Sequence, residues 1–302
     1  MDISPFPLQS AEKQCAWRKR NPYNEHIKGN NQKSAVKIRM EEMSMKCSLC
    51  IDLLYLEIGP TGPVFSDTNK LLAGMELASK TGYSAVEFWD WFGRDWEKLL
   101  AKKKELNLEV AAICAKDRGN LDDPSQREKA LAGLRETIPV AKQFDCPNII
   151  VTAGDNANQD RAAAKQSIID GLKEMAPLAE EAGVTLVLEP ISGGYFVDSA
   201  EPFEIVRAVG SPMVKVLYDI FHYQVMEGNI TETIRNNIGL IGHLHAAQVP
   251  GRCEITEGEL NYYFIIRAIR EMGYDRYFGF EYLPRMEKED GVTACRKLFE
   301  NA

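Results

Sequence analysis

Four apolar runs in the C-terminal half of the sequence each end in a side chain that can ligate a metal. They are Thr185-Leu186-Val187-Leu188-Glu189, Val214-Lys215-Val216-Leu217-Tyr218-Asp219, Ile241-Gly242-His243-Leu244-His245 and Tyr277-Phe278-Gly279-Phe280-Glu281. Apolar residues that run on instead of alternating belong to strands covered on both faces, as in a parallel sheet. One acidic or imidazole terminus is ordinarily a salt bridge or a helix cap. Glu, Asp, His and Glu on successive strands point instead to four side chains converging on one cation. Three carboxylates gathered without a cation would repel one another, and each is costly to bury unless paired or metal-bound. Three oxygens and one nitrogen suit Mn²⁺ or Mg²⁺, with positions left for water or substrate. Zinc ordinarily takes more nitrogen or sulfur.

Further polar residues cluster around these strand ends. His243 lies two residues before His245, so both point to the same side of one strand. A packed or supporting role is expected of His243. His222 follows Asp219 by three residues and is placed to bond a substrate oxygen. Arg252, after Val249-Pro250-Gly251, offers a guanidinium fork for a carboxylate or vicinal oxygens. In Val86-Glu87-Phe88-Trp89-Asp90-Trp91, Glu87 is a candidate substrate contact, and Trp89 and Trp91 are candidate pocket walls. Lys116 and Glu259 are weaker candidates.

These side chains need a scaffold that sets them at one rim. Strand signals fall near 47–54, 84–90, 108–115, 147–153, 184–190, 213–219, 241–247 and 277–283. Helical stretches follow each, near 67–81, 94–106, 124–144, 159–182, 200–209, 231–238, 259–272 and 288–300. Within 159–182, Ile168, Leu172, Met175, Leu178 and Ala179 form an apolar stripe at helical spacing. Gly183 follows where a left-handed residue is wanted, and Gly82, Gly210 and Gly273 repeat the stop. Eight βα units over residues 47–302 predict a (β/α)₈ TIM barrel, whose active sites form at the carboxyl ends of the strands. An open doubly wound sheet would want a Gly-rich phosphate turn after its first strand, and none is present.

The bulk numbers narrow the class. The 302 residues are 45% hydrophobic with a net charge of −8, which supports a large core and argues against nucleic-acid binding. Residues 1–46 hold nine Lys/Arg against five Asp/Glu, lack apolar periodicity and read as a flexible extension. Met40, Met43 and Met45 are candidate translation starts. No run reaches the length of a membrane span and no secretory pattern opens the sequence, so the cytoplasm is expected. Seven scattered cysteines argue against a disulfide framework, and Cys47-x-x-Cys50 reads as a pair of ordinary strand residues.

With these residues in view, the sequence resembles the xylose isomerase-like barrel superfamily, and within it the hydroxypyruvate isomerases. The likeness spans roughly residues 47–300. It rests on Val86-Glu87-Phe88, Leu188-Glu189-Pro190, the stretch from Tyr218 to Asn229, Val249-Pro250-Gly251-Arg252 with Gly258-Glu259-Leu260-Asn261-Tyr262, and Phe280-Glu281-Tyr282. The resemblance implies metal ligation by Glu189, Asp219, His245 and Glu281, with the two glutamates doubling as acid and base. It implies substrate contacts by His222 and Arg252. One departure stands out: hydroxypyruvate isomerases often carry Gln where this chain has His245, and histidine there resembles the ketose 3-epimerases. The expected activity is isomerisation of a small hydroxy-carbonyl compound, of the hydroxypyruvate/tartronate semialdehyde type, by enediolate proton transfer between the glutamates. A ketose 3-epimerase or another sugar isomerase of the superfamily is the alternative. A non-catalytic sugar-binding barrel or a subunit of a carbohydrate enzyme is a third reading. A phosphodiesterase of the superfamily acting at abasic DNA sites would need more histidines and a basic face. The expected partner is a small keto acid or sugar, with no nucleic acid and no membrane; homo-oligomerisation stays open.

Overall fold

Eight parallel strands pair edge to edge until the last meets the first. A computed structural model describes residues 45–60, 62–154 and 160–302. In chain order its strands are β1 (Lys46–Cys50), a short antiparallel hairpin of β2 (Glu57–Gly59) and β3 (Gly62–Val64), β4 (Ala85–Phe88), β5 (Glu109–Cys114), β6 (Asn148–Thr152), β7 (Thr185–Glu189), β8 (Val214–Asp219), β9 (Ile241–Ala246) and β10 (Tyr277–Phe280). The closed ring runs β1-β10-β9-β8-β7-β6-β5-β4. The expected (β/α)₈ barrel is therefore the fold. The expected extension falls on residues 1–44, outside the described residues, on Met45, and on Lys46, the first residue of β1.

The connecting helices are α1 (Thr68–Lys80), α2 (Trp96–Glu105), α3 (Arg127–Gln143), α4 (Arg161–Ala182), α5 (Ala200–Val209), α6 (Ile220–Met226), α7 (Ile230–Asn237), α8 (Tyr262–Glu271) and α9 (Lys288–Asn301). Aspartates start several of them. The carboxylates of Asp67, Asp95 and Asp160 accept the backbone N–H groups of Lys70, Lys98 and Ala163, satisfying donors that a first helical turn leaves unpaired. Gly183 ends α4 at φ 71°, in the left-handed region where a Cβ is penalised.

Both faces of the strands are covered, for different purposes. Outward residues such as Leu186, Leu188, Val214 and Val216 join Leu172 and Met175 of α4 and Phe203 of α5 in the main apolar core. Inward residues Ala112, Cys114, Ile150, Val187 and Leu217 form a second, smaller cluster inside the barrel. Side chains two residues farther along a strand share its face. Val187 is thus followed inward by Glu189, and Leu217 by Asp219. The apolar plug becomes a floor, and the polar groups stand on it at the carboxyl-terminal rim.

Two features lay beyond the sequence pattern. The first strand stops at Cys50 instead of running to 54, and Leu53–Tyr55 form a 3₁₀ turn leading into the β2–β3 hairpin. The apolar Leu53 and Leu54 read as strand because a short apolar run carries no period of its own. The other is α6, a two-turn helix begun by Asp219 itself. Cys47 and Cys50 are buried free thiols on β1.

Candidate active site

Glu189, Asp219, His245 and Glu281 come together at the rim. One ligand atom from each lies within 4.8 Å of every other. The register explains this: Asp219 is level with His245 across β8 and β9, and Gly279 with His245 across β9 and β10, so Glu281 emerges just past the barrel edge. Asp219 also caps α6. Its Oδ1 accepts the Phe221 N–H at 2.8 Å, which leaves Oδ2 directed at the site.

His245 is set by a carboxylate of β4. Its Nε2 lies 3.1 Å from Glu87 Oε2, and His243 Nε2 lies 2.7 Å from the same oxygen. Ser48 Oγ donates to Glu87 Oε1 at 2.9 Å. Glu87 is only 2% exposed. It was expected at the substrate; the structure instead sets its carboxylate against the two imidazoles of β9. Burial alone would raise the Glu87 carboxyl, but His243 and His245 override this and hold it at about 2. Gly279 makes the room: a Cβ there would lie 2.0 Å from Glu87 Oε1.

With Nε2–H given to Glu87, the neutral form of His245 would present a lone pair at Nδ1. That atom is buried, 3.1 Å from Glu281 Oε2 and 3.6 Å from Glu189 Oε1, yet makes a well-formed hydrogen bond with neither. Burial would lower the imidazole's pKa, but Glu281 and Glu87 push it well above the ordinary value. Burial would likewise raise Glu281, but His245 and Arg252 hold it well below the carboxylate range. The cluster demands positive charge. Three hard oxygens, one imidazole nitrogen and a carboxylate behind that imidazole fit a divalent cation.

A cavity of about 120 Å³ is lined by Glu189 and Glu281 of this cluster. Trp89 lines it and donates from Nε1 to Glu281 Oε1 at 2.7 Å. Arg252 lines it too, hydrogen-bonding Glu281 Oε2 and, at 3.2 Å, Asp219 Oδ2. Arg252 sits at φ 51°, a left-handed conformation uncommon for a non-glycine residue. His222 is 4% exposed; its Nδ1 accepts the Ser192 N–H at 3.2 Å, so its proton belongs on Nε2, which lies 3.4 Å from Asp219 Oδ2.

The sequence profile of the xylose isomerase-like TIM barrels matches residues 75–298. The chain belongs to that family. A provisionally named hydroxypyruvate isomerase of Danio rerio is 32% identical over 257 residues, covering 79% of this chain and 93% of the relative. The 2-oxo-tetronate isomerase of Pectobacterium atrosepticum is 28% identical over 242 residues, covering 76% and 92%. Among solved structures, a family 2 AP endonuclease from Brucella melitensis superposes with a TM-score of 0.74 at 24% identity, covering 82% of this chain and 96% of that one. That likeness speaks for the fold alone.

Within this xylose isomerase-like barrel, several residues stand apart from their expected places. Lys116 points away and pairs with Glu136 of α3 at 2.5 Å. Glu259 is exposed. Trp91 is buried behind the barrel, its Nε1 donating to Thr137 Oγ1 at 3.3 Å. Three contributors escaped the sequence reading. Ser192 sets the His222 tautomer. Asp52 Oδ2 accepts the Trp89 backbone N–H at 2.6 Å. Arg118 lines the cavity and donates from Nη1 to Asp90 Oδ1 at 2.9 Å. A basic residue after the third barrel strand was the available signal, but it pointed to Lys116, two positions too early.

Proposed function

We propose that the protein interconverts small 2-keto-3-hydroxy acids with their 2-hydroxy-3-oxo isomers, hydroxypyruvate and tartronate semialdehyde being the smallest such pair. Enzymes of the family named for hydroxypyruvate and for 2-oxo-tetronate make the chain an isomerase. The observation that carries the finer reading is the convergence of two glutamates, an aspartate and an imidazole within 4.8 Å, with both glutamates lining one small cavity.

Glu189, Asp219, His245 and Glu281 would hold Mn²⁺ or Mg²⁺. Such a cation supplies Lewis acidity that makes the C–H between a carbonyl and a hydroxyl more acidic. Glu281, fixed by Trp89 and Arg252, and Glu189, across the site, move the proton. One carboxylate takes it from C3 of hydroxypyruvate, leaving an enediolate. Its return to C2, with the hydroxyl proton passing from O3 to O2, gives the semialdehyde. The His222 Nε2–H steadies a substrate oxygen. The carboxylate of Glu281 is buried, and a cavity of about 120 Å³ suits a small substrate. The six described cysteines, all free thiols, fit a reducing cytoplasm.

The test is exchange of the substrate's carbon-bound hydrogen with D₂O, followed by ¹H NMR with Mg²⁺ present. Wild-type protein exchanges the C3 hydrogens of hydroxypyruvate, and Glu281→Gln loses exchange by at least about a thousandfold while keeping its circular dichroism. Exchange at the wild-type rate in that variant removes Glu281 from proton transfer. The second reading, a ketose 3-epimerase, is favoured by one residue, the histidine at position 245. Faster exchange at C3 of a ketohexose than on hydroxypyruvate would select it.

A further inference from the structure

The chemistry proposed above requires a receptor for the substrate's carboxylate, and this inference rests on that reading. Arg252 was the expected receptor. Its Nη2 bonds Glu281 and Asp219, two carboxylates of the site itself, which ties that corner of the guanidinium to the cluster. A second guanidinium borders the same cavity, that of Arg118 in the loop after β5.

Arg118 is fastened from two sides. Its carbonyl oxygen accepts the Thr152 N–H at 3.2 Å and the Thr152 hydroxyl at 3.1 Å, tying its backbone to the end of β6. Its Nη1 is held by Asp90, just past the end of β4. Asp90 takes one donor of a planar five-donor fork, and no other hydrogen bond joins the guanidinium to the described residues. Its side chain is 30% exposed, against 2% for Glu281. The arginine therefore stands at the mouth while the proton-transfer groups lie on the floor. In a 2-keto-3-hydroxy acid the reacting carbons bind at the floor, and the carboxylate, adjacent to C2, projects toward the mouth.

We infer that Arg118, oriented by Asp90, receives the substrate carboxylate and selects keto acids over neutral ketoses, whereas Arg252 serves the site's own carboxylates. A guanidinium presents two parallel N–H groups to a carboxylate, a geometry that lysine cannot reproduce. A plain loop-to-loop salt bridge between Arg118 and Asp90 would hold two loops together without affecting substrate choice, so the test separates the two roles.

The experiment compares Arg118→Gln, Arg118→Lys and Asp90→Asn with wild-type protein loaded with Mn²⁺. Arg118→Gln raises KM for hydroxypyruvate by about 30-fold or more with kcat within about threefold. Its Mn²⁺ affinity, measured calorimetrically, and its melting temperature stay near wild type. The inhibition constant of dihydroxyacetone, which replaces the carboxylate with CH₂OH, does not move. Arg118→Lys recovers part of the KM, and Asp90→Asn gives a smaller rise. An equal weakening of hydroxypyruvate and dihydroxyacetone overturns the inference, as does an unchanged KM in Arg118→Gln. If wild-type protein turns over no 2-keto acid, the functional reading falls and takes this one with it. Turnover with an unmoved KM sinks this one alone.

Discussion

Glu87 Oε2 lies 3.1 Å from His245 Nε2, so a carboxylate on β4 decides which imidazole nitrogen faces the ligand cluster. A glutamine at position 87 could offer its amide N–H to Nε2 and stabilise the other tautomer, which would put a proton where a cation should bind. Glu87→Gln is therefore expected to weaken Mn²⁺ binding by about 10- to 100-fold, the usual effect of removing such a supporting group. Isothermal titration at neutral pH measures it. Wild-type affinity in the variant would show that Glu87 is there only to fill the barrel.

What the sequence disclosed and what it hid follow from chain order. Glu189, Asp219, His245 and Glu281 were legible because each closes an apolar run, and a strand's end is visible in one dimension. So was the barrel, from the alternation of runs and stripes with glycine stops such as Gly183. Glu87 was assigned to the substrate because it also sits at a strand end. Its partners, His243 and His245 on β9 and Ser48 on β1, are distant in the chain, and a contact between such strands has no sequence signature. Arg118 escaped for a similar reason. Whether Lys116 or Arg118 faces the cavity depends on how the loop leaves β5, and Asp117 at φ 54° shows how far that path departs from an extended chain.

Gly279 tests the packing beneath the site. A methyl group there would lie 2.0 Å from Glu87 Oε1 and 2.9 Å from His245 Cδ2. Glu87 cannot swing clear without leaving the two imidazoles and Ser48 unpaired. Gly279→Ala is expected to cost about 2 kcal/mol or more. Urea unfolding should show a lower midpoint with an unchanged slope. An unshifted midpoint would mean that the carboxylate has an alternative berth.

The six described cysteines, all buried, are expected to be inert toward thiol reagents. Burial pushes the Cys47 thiol up to about 11 and those of Cys146 and Cys295 to about 12. Cys50, near Glu281, is likewise raised well above the ordinary value, by burial first and by that carboxylate next. Thiolate is the reactive form. A Cys15→Ser variant, which removes the cysteine outside the described residues, should react with Ellman's reagent at pH 8 only after denaturation. Rapid labelling of native protein would mean that at least one of these thiols is more accessible than its burial implies.

Asp52 gives a pH signature away from the ligands. Its carboxyl is 1% exposed, and burial raises it from 3.8 to about 6, the Trp89 N–H and Arg94 offsetting only part of the effect. A group protonated more readily in the folded state than in the unfolded chain favours folding at low pH. That contribution is complete below about 4 and is lost as pH rises through about 6. At about 1.4 kcal/mol per unit, roughly 3 kcal/mol is at stake. Asp52→Asn keeps an oxygen for the Trp89 N–H but cannot ionise. Its stability relative to wild type should therefore rise between pH 4 and pH 6.5 and stay level above that. Parallel stability curves for the two proteins across this range would show that Asp52 is ionised in the folded state throughout.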